Sequence, residues 1–103
     1  PLIVIFAARA RKDWAVALKP LASEADLIIA APLADEGVAP DSIAAAALSE
    51  GAAAQAAPSL EAAMRIAAQY GAPRVLICGS FLLAAEALKL EGSDALVQPL
   101  DDL

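Results

Sequence analysis

Residues 75–78, Val-Leu-Ile-Cys, run without a polar interruption into Gly79-Ser80, and an Ala/Leu-rich helical pattern follows at once. An unbroken apolar run of this length, bounded by turn residues, reads as a strand buried on both faces of a parallel sheet. Glycine lets the backbone turn sharply, and serine is suited to cap the next helix. Residues 2–6, Leu-Ile-Val-Ile-Phe, repeat the pattern near the amino end. Ligands of open α/β sheets bind beyond the carboxyl ends of the strands, so the Gly79-Ser80 corner is where chemistry is to be sought.

Between these two runs the pattern alternates. Residues 7–11 form a loop that ends in Lys12-Asp13, and Asp13 suits the N-cap of a helix with Trp14, Ala17, Leu18 and Leu21 on one face. Pro20 falls inside that pattern and is expected to kink or restart the helix. Residues 26–30 read as a second strand closed by Pro32, and a polar loop over 34–39 contains Gly37. Pro40 fits the first turn of a second helix reaching about Glu50, with Gly51 as its stop. Residues 52–57 are ambiguous. Alanine favours helix, yet Gly51 and Pro58 fence the segment, and the alternating rhythm calls for a weak strand. Ser59 can cap a third helix from Leu60 to about Gln69, with Leu60, Met64 and Ala67/Ala68 toward the sheet; Gly71 and Pro73 end it. Beyond residues 75–78 the pattern gives a helix over 81–91, closed by Gly92, and one short strand over 95–98. The sum is a doubly wound or three-layer α/β domain with a mainly parallel sheet.

Composition narrows what such a domain can do. Its 103 residues suffice for one modest core, and with 29 alanines and only four aromatics the helices must pack through small side chains. No apolar run approaches the ~18 residues of a membrane span. The chain has no histidine and a single cysteine, Cys78, so a transition-metal site and the Ser-His-Asp or Cys-His sets are not encoded. With no disulfide framework, a reducing cytoplasm is the expected compartment. Neither GxGxxG nor GxxxxGK[ST] occurs, which removes the usual phosphate-gripping loops. The net charge of −6 opposes nucleic acid binding. The pairs Asp35-Glu36 and Asp101-Asp102 read as solvated surface charge. The opening at Pro1, directly on a strand, suggests a piece of a longer polypeptide.

The charge is uneven. Residues 1–19 hold Arg9, Arg11, Lys12 and Lys19 against Asp13 alone, a net +3, whereas residues 20–103 hold three basic and twelve acidic groups, a net −9. A basic knot in an acidic chain has two readings, a solvated loop or a local anion site. The stretch from Arg9 through Arg11 and Lys12 to Asp13 would offer an anion both cationic side chains and the amides of a helix N-terminus. Gly79-Ser80 is either a plain helix cap or a second source of a hydroxyl and free amides. If the strands preceding the two loci are neighbours, the loci converge on a pocket suited to a small carboxylate.

In this order the motifs resemble a known family. The segment from Val75 through Gly79 and Ser80 to Glu86 is similar to the "VLVCGSLYLVGEV"-type signature of folylpolyglutamate synthase/dihydrofolate synthase. Residues 3–6 with Lys12-Asp13 resemble that family's strand and "GMLxDKD" loop, residues 57–63 its "APSxEEAL" helix start, and residues 19–22 its "LAPLA" segment. The matches keep family order over nearly the whole chain. The resemblance implies a Rossmann-like fold of the Mur ligase C-terminal domain type, with helices on both faces of the sheet. It implies the C-terminal, glutamate-binding domain of an ATP-dependent amide ligase, which phosphorylates a carboxylate with ATP and Mg²⁺ and lets glutamate's amine attack the acyl phosphate. The acceptor would be dihydropteroate or a folate already carrying glutamate. By the same resemblance Lys12 and Ser80 would hold the incoming glutamate, supported by Asp13, Arg9, Arg11 and Gly79. ATP and Mg²⁺ would belong to the N-terminal ATPase domain of the same polypeptide, and none would be bound by this segment alone. The family's glycine after the first strand is replaced around Ala7-Ala8, and its acid before Lys-Asp is Arg11 here. Two other readings stand beside this one: a free-standing binding module for a small anionic ligand, and a structural interaction domain with an apolar docking face.

Overall fold

The computed structural model describes residues 1–10, 13–33, 37–79 and 96–99. The chain forms β1 (Leu2–Phe6), α1 (Trp14–Glu24), β2 (Leu27–Ala30), α2 (Pro40–Ser49), β3 (Ala54–Ala56), α3 (Leu60–Ala68), β4 (Arg74–Gly79) and β5 (Leu96–Pro99). The sheet has the order β3-β2-β1-β4-β5, and every neighbouring pair is parallel. The helix expected over 81–91 lies outside the described residues.

Strand order and chain order together dictate the layers. From β1 the chain steps outward through β2 to β3, then crosses back to β4 on the other side of β1. Right-handed crossovers put helices made while stepping one way on one face, and helices made while stepping the other way on the opposite face. The core divides accordingly. On one face Leu18 and Ala22 of α1 and Ile43, Ala44 and Ala47 of α2 bury Val4, Phe6, Ile28, Ala30 and Cys78. On the other, Leu60, Ala63 and Ala67 of α3 cover Ile3, Ile5, Ile29 and Ile77. This is a three-layer, Rossmann-like α/β fold. Alanines at the buried helix positions stand in for bulkier residues and let helix and sheet approach closely.

Four details differ from the sequence pattern. The helix α1 runs through Pro20 without restarting. Proline at position 20 removes the donor that would pair with the Val16 carbonyl, and Val16 is 66% exposed, so water can serve that oxygen. The second strand starts at Leu27 because Asp26 turns outward: its Oδ2 accepts from the Leu2 amide at 2.7 Å, and its own amide donates to the Leu2 carbonyl at 2.8 Å. The sheet-facing stripe of α3 is Leu60, Ala63 and Ala67, with the partly buried Met64 packed against the same layer as expected and Ala68 exposed. The last strand is shifted by one residue and includes Pro99, which an edge strand tolerates.

The ambiguous alanine segment resolves as strand. Ala54–Ala56 pairs with β2 through Ile28↔Ala54 to Ala30↔Ala56. Alanine's helix preference yields because helix α2 has just been stopped by a Schellman motif. Gly51 takes φ +91, its amide donates to Leu48 O at 3.0 Å, and the Ala52 amide donates to Ala47 O at 3.1 Å.

Candidate functional site

The two loci picked out by sequence follow β1 and β4, and these strands are neighbours. Their register runs from Leu2↔Arg74 to Phe6↔Cys78, so the carboxyl tips end level. Hydrogen bonding continues one residue further, with the Ala7 amide donating to Cys78 O at 3.2 Å. From β1 the chain departs toward β2, while β5 lies beyond β4 on the far side. Neighbouring strands whose connections diverge leave a crevice between their tips, the switch point at which open α/β sheets place ligands.

Along the β1 side, Ala7 and Ala8 are buried, Arg9 is half-buried, Ala10 is exposed, and Asp13 is exposed immediately before α1. Along the β4 side, Gly79 closes the strand opposite Pro99 of β5. The structure therefore brings the backbone of Ala7 against the tip of β4 at Cys78. Lys12, Arg11 and Ser80 lie outside the described residues. Asp13 occupies the N-cap position of α1, as expected, but its side chain makes no capping hydrogen bond. By contrast Ser59 at the start of α3 accepts from the Ala62 amide at 3.0 Å.

Sequence reasoning passed over two features. The first is an antiparallel bridge between Arg9 and Gly37, with the Val38 amide donating to Ala8 O at 2.9 Å. It ties the loop after β1 to the loop after β2. Gly37 was legible only as a loop glycine, because the contact it makes is to residues far off in sequence. The second is an open concavity of about 400 Å³ at the carboxyl ends of β2 and β3, lined by Pro32, Pro40, Asp41, Ala56, Ala57 and Pro58. The proline at each strand-to-helix turn was its available signal. An apolar wall with one carboxylate repels an anion, so this concavity does not extend the β1/β4 crevice chemically.

Cys78 faces the α1/α2 side of the core, and burial pushes its thiol up to about 11. It stays protonated at neutral pH and offers no nucleophile. Among the described residues no group of three His, Cys, Asp or Glu side chains is arranged to hold a metal ion. No described helix is long and apolar enough to cross a membrane. The exposed large hydrophobics Val16, Leu48 and Tyr70 sit on α1, on α2 and after α3, which divides them between the two faces of the sheet. No family model, curated protein or solved structure matches the chain.

Proposed function

We propose that this chain is the C-terminal, glutamate-side domain of a cytoplasmic ATP-dependent ligase that joins L-glutamate to dihydropteroate or to a folate. The observation that carries the reading is the level pairing of the β1 and β4 tips, Phe6↔Cys78. It supports the reading because the two family-like motifs leave those adjacent tips, one toward Lys12 and the other toward Ser80. A cation and a hydroxyl following neighbouring strand tips in sequence suit a carboxylate, since both can donate charge-assisted hydrogen bonds. The domain's task is to hold glutamate by its carboxylate so that the amine faces an activated carboxyl group on the N-terminal ATPase domain. That contribution is positional.

The reading assigns ATP and Mg²⁺ to the N-terminal ATPase domain, since neither GxGxxG nor GxxxxGK[ST] occurs in this sequence. In this reading the chain alone turns over no ATP. The rival reading, a free-standing module for a small anion, draws on the same crevice and on the core layers that described helices form on both faces of the sheet.

The coding sequence ahead of Pro1 separates them. The ligase reading requires a GKGS-type P-loop and an HNP segment there; an independent start near residue 1 favours the module. In the full ligase, Lys12→Ala is expected to raise KM for glutamate about tenfold or more with kcat little changed, as loss of a hydrogen bond to a charged group implies. Unchanged glutamate kinetics would remove Lys12 from the site.

A further inference from the structure

We propose that Gly37 and Val38 are positioning residues for residues 7–10 after β1, holding them in the shape that ligand binding at the β1/β4 crevice needs. The identity of the ligand, L-glutamate, rests on the reading above; the clamp itself rests on geometry. Nothing in chain order requires the loops after β1 and β2 to touch. They touch because the Val38 amide donates to Ala8 O at 2.9 Å and Arg9 bridges Gly37. Ala8 is buried and carries that acceptor on the residue just before Arg9, so the bond fixes the direction in which Arg9 and Ala10 leave the sheet.

Only glycine fits at position 37. A Cβ there would stand 2.9 Å from Leu33 Cβ and 3.1 Å from the Leu33 amide nitrogen. Both are too close, and neither obstacle can swing aside, since one is main chain and the other is anchored directly to it. Leu33 is itself packed against the core on the α3 side. The crowding is spatial: Gly37 is absent from the residues with positive φ. Any side chain at 37 must therefore push the segment off Leu33, and with it the Val38 amide off Ala8.

The test is Gly37→Ala in the 103-residue chain, read by residue-resolved hydrogen exchange and by titration with L-glutamate followed through amide chemical shifts. Exchange of the Val38 amide is expected to speed up about tenfold, the loss of one net hydrogen bond. The Ile5 and Ile29 amides should keep their wild-type rates, and the glutamate midpoint should rise about fivefold. Leu33→Gly added to Gly37→Ala removes the shorter contact, at 2.9 Å, and leaves the main-chain one at 3.1 Å, so both readouts should return part of the way toward wild type. Unchanged Val38 exchange overturns the proposal. So does faster Val38 exchange with an unaltered glutamate midpoint, and so does equal acceleration at Ile5 and Ile29. A wild-type chain whose shifts ignore L-glutamate overturns the ligase reading instead, and Val38 exchange alone then decides the clamp.

Discussion

Ser59 and Asp13 are equivalent N-caps by sequence, yet only Ser59 caps in the structure, and this difference sets up a paired measurement. Ser59→Ala deletes the oxygen that accepts from the half-buried Ala62 amide at 3.0 Å. Losing such a cap costs about 1 kcal/mol, within a range of roughly 0.5–2. Helix α3 is nine residues long, and its Leu60, Ala63 and Ala67 cover Ile3, Ile5, Ile29 and Ile77, so fraying at its first turn is felt in that core layer. For a domain of this size about 1 kcal/mol corresponds to a drop in Tm of about 5 °C. Asp13→Ala removes no hydrogen bond and costs only an exposed charge–dipole interaction of about 0.3 kcal/mol. Urea unfolding followed by circular dichroism should show a lower midpoint at unchanged slope for Ser59→Ala, full retention for Ser59→Asp, and a small loss for Asp13→Ala that vanishes in about 1 M salt. Equal losses at the two positions, or a Ser59→Ala loss below about 0.3 kcal/mol, would refute the assignment of the cap.

Three further outcomes are expected. Burial raises the Cys78 thiol from its ordinary 9.0 to about 11, so the unfolded chain loses that proton first on the way up. The stability it contributes is whole below pH 9 and falls by about 3 kcal/mol as pH climbs through about 11; Cys78→Ala should show a correspondingly shallower alkaline decline in Tm. Gly51→Ala should cost about 1 kcal/mol in urea unfolding, because φ is +91 and no neighbour lies close enough to add a clash. Ala72, at φ 46 in the turn before Pro73, presents the opposite case: Ala72→Gly should gain roughly 0.5 kcal/mol in the same assay.

What was legible in the sequence was whatever local chemistry decides. The two long apolar runs became central strands, Pro40 and Gly51 bounded α2 as their ring and φ preferences require, and Ser59 capped α3. What was not legible depends on neighbours distant in the chain. Residues 54–56, alanine and glutamine, were legible as a strand only through the alternating rhythm, and pairing along β2 supplies what their own propensity does not. Whether Pro20 breaks its helix depends on which carbonyl loses a partner and whether water reaches it. The stripe of α3 adds Ala63 to the expected Leu60, Met64 and Ala67, and leaves Ala68 exposed, because Ala63 lies one turn from Leu60 on the same face. At the candidate site the sequence offered the adjacency of β1 and β4 as the condition for the two loci to converge, and the register Phe6↔Cys78 meets it. The clamp through Gly37 was not legible, since a glycine inside a polar loop looks the same whether it turns freely or is crowded by Leu33.

The most direct test of the account is an L-glutamate titration of the isotopically labelled wild-type chain. Saturable shifts gathered on Ala7, Ala8, Asp13 and Gly79 are predicted, with those of Ala56 and Ala57 unmoved. No response, or one centred on Ala56 and Ala57, would contradict a carboxylate site between the first and fourth strands.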